Sequence, residues 1–280
     1  MSENKALNTG ILQGVGYKID KWLGGLSGLL NWERGNQPRF SHKNTHQRLM
    51  KADLHSINCT DLITNIYDCI ERNRSNAEPK ERIPSKENWR FTRRQDRSPQ
   101  NKSPEVNLER DIVGNAPSAN TDWANQIPVA SGLLRSNSDK GRHVDLAHKK
   151  GEREYELIEL KVEANNLFYA AMEIFCYGLL YIHARAHRLD PGKSPLLNAE
   201  TIQTIHLRVW APPAFYDPDT TTLCHLEAGL SDALAKFAES KIRIHMDFRY
   251  RKFPKNAYEA HKCAALPEHI PELVDVEAIC

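Results

Sequence analysis

Hydrophobic positions along this chain recur with different periods in different stretches, and the periods predict the elements. Over residues 56–73, Leu62, Ile63, Ile66 and Ile70 return at three- and four-residue spacing, which puts them on one helix face, with Thr60 as the capping candidate. Upstream, residues 10–32 mix Ile11, Leu12, Trp22, Leu23, Leu29 and Leu30 with Gly10, Gly14, Gly16, Gly24, Gly25 and Gly28. Each glycine costs a helix about 1 kcal/mol relative to alanine, so this stretch reads as weakly helical or irregular. Residues 74–103 carry Pro79, Pro84, Pro99 and dense charge, the pattern of a linker or long loop.

From Ser103 the pattern changes. Ser103-Pro104-Glu105 joins a capping hydroxyl, a first-turn proline and an acid suited to the helix dipole, which predicts a short helix over 104–113. Residues 125–134, 142–148 and 155–163 read as three strands, the last two joined by the polar, glycine-containing turn His148-Lys149-Lys150-Gly151-Glu152. Asn165 or Asn166 then caps a long amphipathic helix running to 187. A strand over 203–210, a helix over 221–239 and an alternating strand over 241–250 complete the series. The order predicts an α/β fold with a mixed central sheet flanked by helices. A mainly helical or irregular N-terminal region over 1–103 precedes a core over 104–255, and a C-terminal tail covers 256–280.

At 280 residues the chain has room for one large domain or two ordinary ones, and its charged fraction of 26% is that of a globular protein. No run of 18 apolar residues occurs, and Met1-Ser2-Glu3-Asn4-Lys5 lacks the basic start and apolar stretch of a secretory signal. A cytoplasmic location and no membrane partner are therefore expected. The six cysteines, Cys59, Cys69, Cys176, Cys224, Cys263 and Cys280, include no C-x-x-C pair, so free thiols are expected. Cys224-His225 and His261 with Cys263 lack the paired spacing of a structural zinc site, and none is expected.

Net charge is unevenly spread. Residues 1–103 hold 18 Lys and Arg against 11 Asp and Glu, and the remainder holds 20 against 25. A basic half that meets a polyanion beside an acidic half that holds metal accounts for this, and so does a merely solvated basic surface. Within the basic half, Trp89-Arg90-Phe91-Thr92-Arg93-Arg94-Gln95-Asp96-Arg97 interleaves aromatic rings with arginine. Arg90, Arg93, Arg94 and Arg97 are candidate phosphate contacts and the rings candidate stacking platforms; a disordered basic linker is the alternative.

The candidate chemistry lies on the second and third strands. Period-2 geometry places Tyr155, Leu157, Glu159 and Lys161 on one face of the third strand, and a hairpin turning near 150–152 sets Asp145 almost opposite Glu159. Two carboxylates that close repel unless a cation lies between them or one is protonated, and Mg²⁺ or Mn²⁺ takes oxygen ligands of this kind. Glu173, stranded among apolar residues of the following helix, needs a partner such as Lys161 or a bound ion. His143 shares the face of Asp145 and reads as structural, and the Tyr169/Tyr177/Tyr181 stripe reads as core packing. The sequence holds no G-x-S-x-G, G-x-x-x-x-G-K-[ST], complete G-x-G-x-x-G or H-E-x-x-H motif.

Glu109 in Leu108-Glu109-Arg110, Asp145 in Val144-Asp145-Leu146, and Glu159-Leu160-Lys161 together resemble the PD-(D/E)XK nuclease superfamily. Its core is a helix bearing Glu, a β-meander bearing Asp and E-x-K, then a helix and a strand. Glu173 and Tyr177 resemble the Q-x-x-x-Y motif of the RecB-like branch, with Glu in place of Gln, and Val144 stands where the motif has proline. The resemblance spans about 104–250, roughly half the chain.

It implies a restriction-endonuclease-like core and metal-dependent hydrolysis of phosphodiester bonds, in DNA rather than RNA. The implied catalytic residues are Glu109, Asp145, Glu159 and Lys161. Asp145, Glu159 and the backbone carbonyl of Leu160 would hold Mg²⁺ or Mn²⁺, with Glu173 and Tyr177 in support. The implied partner is nucleic acid, with homodimer assembly left open. The competing readings are a catalytically inactive binding or assembly protein on the same core, and a hydrolase of small phosphate esters.

Overall fold

The computed structural model describes residues 10–15, 18–19, 58–79, 82–93, 103–115, 122–134, 139–162, 167–190, 192, 194–198, 200–216, 220–264 and 270–280. The helices are α1 (Cys59–Asn76), α2 (Pro104–Asn115), α3 (Leu167–Ala186), α4 (Thr220–Ile242), α5 (Lys255–Ala264) and α6 (Ile270–Leu273). The strands are β1 (Trp123–Pro128), β2 (His143–Gly151), β3 (Glu154–Leu160), β4 (Thr204–Ala211), β5 (His245–Lys252) and β6 (Glu277–Ala278). They form one mixed sheet in the order β1-β2-β3-β4-β5-β6. β1–β2–β3 is an antiparallel meander, β3–β4–β5 is parallel, and β6 closes antiparallel on β5. The α/β class and the mixed sheet flanked by helices are thus as the hydrophobic pattern predicts.

Alternation along the strands builds two cores. Ala147, Leu157, Leu207, Val209, Met246 and Phe248 meet apolar residues of α1, α3 and α4 on one face. On the other, Leu146, Ile158, Leu160 and Trp210 pack with Leu108 and Ile112 of α2, Ala257 and Tyr258 of α5, and Ile270 of α6. The sheet is therefore covered on both faces, which suits its parallel half. Gly178 marks the close approach of α3 to the sheet: a Cβ there would lie 2.4 Å from Leu207 Cδ1.

Several boundaries and characters differ from the expectations. α1 is capped by Asn58, whose Oδ1 accepts the Asp61 N–H at 3.1 Å, while Thr60 lies inside the first turn. α3 is not amphipathic: its described side chains are buried save Glu173, Arg185 and Ala186, so it is a central helix. Its capping asparagines, Asn165 and Asn166, lie outside the described residues. Lys241 and Ile242 extend α4 rather than opening a strand. Arg243, at φ +56°, ends the helix in the left-handed conformation, and β5 starts two residues later.

The stretch that reads as a linker is partly bound to the core. The Trp89 N–H donates to Pro128 O at 2.7 Å, and Asn88 Nδ2 donates to Ser131 O at 2.8 Å. Gly132, at φ +75°, lies where a Cβ would come within 2.4 Å of Ile83 O, so only glycine fits this contact. The chain after 255 is also tied down, because Cys224 on α4 and Cys280 form a disulfide with Cα atoms 5.5 Å apart. Free thiols were the expectation for both. Nothing in a separation of 56 residues with no paired motif could reveal that α4 and the chain end lie side by side. Cys59, Cys69 and Cys176 are free and buried. No described helix is long and apolar enough to cross a membrane.

Candidate functional site

The β2–β3 hairpin brings the candidate residues together through its register. Pairing runs from the turn to Leu146 opposite Ile158, so Asp145 and Glu159 face one another just past the last backbone pair. Asp145 Oδ2 accepts the Leu160 N–H at 2.8 Å, a side chain taking the place of a ladder carbonyl. Two residues beyond Glu159, Lys161 returns to the same side. Its Nζ lies 2.5 Å from Glu159 Oε1 and 3.6 Å from Glu173 Oε2. Tyr177, one turn along α3, donates its hydroxyl to Glu173 Oε1 at 3.2 Å. Asp145, Glu159, Lys161, Glu173 and Tyr177 therefore form one cluster.

α2 supplies the opposite wall. Glu109 is only 2% exposed, not on the charged surface that its neighbours Arg110 and Asp111 suggest, and Asn125 Nδ2 donates to its Oε2 at 3.5 Å. Gln126 also hydrogen-bonds Glu109 and sits between the pairs Asn125–Leu146 and Ile127–Val144, hence opposite Asp145. Its φ of +48° is a left-handed kink inside a strand, a conformation that non-glycine residues adopt at a cost. Glu105 on α2 accepts the Val162 N–H at 3.4 Å and adds negative charge near Asp145.

The electrostatics are those of too many acids for one base. Burial pushes Asp145 up to about 6, against the pull of Lys161 and the Leu160 N–H. Burial, then the charge of Asp145, pushes Glu109 up to about 9. Glu159 is raised by burial and by the charges of Asp145 and Glu173. Lys161 loses solvation, but the carboxylates around it, Glu159 first, win and hold it firmly as an ammonium. Burial, with the Glu173 charge next, keeps the Tyr177 hydroxyl protonated.

One atom here has no partner. Glu159 is 3% exposed and its Oε2 makes no hydrogen bond. A buried carboxylate oxygen without a donor is costly. Asp145 and Glu159 face one another and acids outnumber Lys161, so the donors are of the oxygen type a hard divalent cation takes, while among the described residues only Glu71, His183 and His187 bring three donor atoms within 4.8 Å.

Other expectations fare differently. Trp89 is 1% exposed and packs edge-on against Tyr181, so its ring is not presented to a base, while the half-buried Phe91 packs edge-on against Tyr155. The alternation of aromatic and basic residues there is that of a strap whose rings face inward. Arg90 pairs with Glu87 at 2.7 Å on the surface, Arg93 is half-buried, and Arg94 and Arg97 lie outside the described residues. Tyr177 and Tyr181 are buried, Tyr181 donating to Leu196 O at 2.8 Å.

Sequence reasoning missed Glu105, Asn125 and Gln126, whose roles depend on how α2 and β1 meet. It also missed a second polar cluster. Glu71 Oε1 lies 2.8 Å from both His183 Nδ1 and His187 Nε2. The i,i+4 spacing of the two histidines was its visible signal. No family model, curated protein or solved structure matches this chain.

Proposed function

We propose that the cluster around Asp145, Glu159 and Lys161 is the active site of a divalent-metal-dependent nuclease of the PD-(D/E)XK type, acting on DNA in preference to RNA. Two things support the reading: the chain order of helix, meander, helix and strand, and the meeting of Glu109, Asp145, Glu159, Lys161, Glu173 and Tyr177 at one place. The observation that carries it is the partnerless, buried Glu159 Oε2 among converging carboxylates.

On this reading Asp145, Glu159 and the Leu160 carbonyl hold Mg²⁺ or Mn²⁺. The ion, when bound, supplies Lewis acidity and a water of lowered pKa. The carboxylates around Lys161, Glu159 first, favour it as an ammonium, which would orient water and offset charge growing on the phosphate. Glu173 holds the Lys161 ammonium, and Tyr177 holds Glu173. Glu109, on the opposite wall and close enough to feel the Asp145 charge, would help hold a second ion or its water shell. The basic charge of residues 1–103 favours a polymeric substrate.

The test is incubation of the full chain with plasmid, oligonucleotides, RNA and a mononucleotide, with and without Mg²⁺ or Mn²⁺. Asp145→Ala, Glu159→Ala and Lys161→Ala should each abolish cleavage while circular dichroism stays native. Full activity in any of the three refutes the assignment. Calorimetric titration with Mn²⁺, compared between the full chain and its Asp145→Asn/Glu159→Gln variant, separates an inactive nuclease-fold protein, whose acid cluster binds no ion, from an enzyme.

A further inference from the structure

At the far end of α3 from the acid cluster, two helices meet through three metal-ligating side chains. His183 and His187 lie one turn apart, the His187 N–H still donating to His183 O at 3.0 Å. Their rings share a face, with centroids 4.4 Å apart. From α1, Glu71 reaches between them, and the three donor atoms all lie within 4.8 Å of one another. His183 is fully buried, its ring edge-on to Tyr67. The Glu71 and His187 side chains are 31% and 44% exposed, which leaves a path for an ion and a position for water.

We propose that Glu71, His183 and His187 form a zinc site that pins α1 to α3, with water as the fourth ligand. Two imidazoles and a carboxylate are a donor set that Zn²⁺ takes in tetrahedral geometry, with bonds of about 2.0–2.2 Å. Such bonds set neighbouring donors roughly 3.3 Å apart. The two 2.8 Å contacts of Glu71 must open and the two imidazole nitrogens, within 4.8 Å of each other, must settle at that spacing, movements that the partly exposed Glu71 and His187 side chains are free to make. The helix supplies two ligands already on one face, and the third comes from the helix packed beside it, so binding closes a cross-link between elements far apart in sequence.

The site is separate from the acid cluster. His183 is ten residues along α3 from Glu173, about 15 Å at the helical rise. It is also distinct from the cysteine-based zinc that the sequence gives no reason to expect, because it uses no thiol. The role assigned is structural, and it does not depend on the nuclease reading.

The experiment uses the metal-stripped full chain with Mg²⁺ present in excess to occupy oxygen-only sites. Zn²⁺ is titrated by calorimetry, Co²⁺ is titrated as a spectroscopic stand-in, and thermal midpoints are recorded with and without Zn²⁺. One equivalent of Zn²⁺ should bind, raise the midpoint, and be matched by intense visible bands with Co²⁺. His187→Ala and Glu71→Gln, whose side chains are partly exposed, should fold and lose more than the ~10–100-fold that removal of an outer partner costs. Asp145→Asn combined with Glu159→Gln should leave Zn²⁺ affinity unchanged. Absence of stoichiometric binding overturns the proposal, and so does binding that survives His187→Ala and Glu71→Gln. Loss of Zn²⁺ binding in the Asp145/Glu159 double variant alone also overturns it, because the ion then belongs to the acid cluster.

Discussion

Replacing Lys161 with methionine keeps the length of the side chain and removes the cation that, among the described residues, pairs with Glu159 and Glu173. The ammonium lies 2.5 Å and 3.6 Å from these carboxylates, and the Lys161 and Glu159 side chains are only 11% and 4% exposed, so water screens little. At an effective dielectric of about 20, a unit pair near 4 Å is worth about 4 kcal/mol. Deleting one member of a buried pair costs about 3–5 kcal/mol, because the other is left buried and unpaired. We expect a loss in that range at pH 8. The loss should shrink on acidification, for the following reason. A carboxyl whose folded pKa is raised destabilises the fold above its unfolded value, near 4, and the cost grows as pH climbs through the folded value. Asp145 already stands at about 6, and losing the ammonium raises it and Glu159 further. Near pH 5 these acids are protonated in the variant and the gap nearly closes; Mn²⁺ at pH 8 should recover part of it. Urea unfolding followed by tryptophan fluorescence reads all three conditions. An equal gap at pH 5 and pH 8, or no gap at all, refutes the account of the cluster as acids restrained by one ammonium.

Asp247→Asn should destabilise by about 1.5–3 kcal/mol, since Asp247 accepts charged hydrogen bonds from His206 at 2.9 Å and Arg208 at 2.5 Å. Asp247 is lowered despite its burial, by His206 and Arg208, so its contribution is present above the unfolded value and lost as pH falls. His206 is raised despite its own burial, chiefly by Asp247, so its contribution is present below the unfolded value and fades as pH rises through the folded one. The penalty should peak between about pH 4 and 6.5, and a flat pH profile in chemical unfolding would count against the pairing. Gly178→Ala should cost about 1–3 kcal/mol by forcing α3 and Leu207 apart, unless thermal melting shows no change and the close approach is wrong. Reducing the Cys224–Cys280 bond, or Cys280→Ser, should lower stability by up to about 4 kcal/mol through the freed loop. A denaturant midpoint insensitive to reductant would contradict that bond.

The core elements were legible because their signals are local. β2 and β3 show through alternation and a polar turn, and Asp145 meets Glu159 because hairpin register follows from turn position. Glu173 could be placed beside Lys161 because an acid among apolar neighbours needs a cation. What the pattern hides depends on contacts between distant segments. The inward turn of Trp89 needs Pro128 and Ser194, whose Oγ hydrogen-bonds Trp89 O. The Cys224–Cys280 bond needs the chain end to return to α4. The pattern also hides the end of α4, because Ile242 and Ile244 continue an alternation backwards across a left-handed Arg243. Gln126 was invisible for a related reason: nothing in Asn125-Gln126-Ile127 announces positive φ.

That kink and the buried α3 are two halves of one arrangement. Concentrating Asp145, Glu159 and Glu173 around one ammonium, with Glu109 and Glu105 close to Asp145, is unfavourable, and so is a left-handed Gln126 in mid-strand. Both persist because the elements carrying them are fixed elsewhere. α3 is buried along nearly its whole length between α1, α4 and the sheet, and its distal turn is tied to α1 through Glu71. A helix so held cannot shift to let Glu173 retreat to water, nor can β3 slip when β2 and β4 pair on either side. The surrounding packing thus keeps the acids close together, so that on the metal-dependent reading proposed above an ion would meet side chains already held and would spend little of its binding energy assembling them.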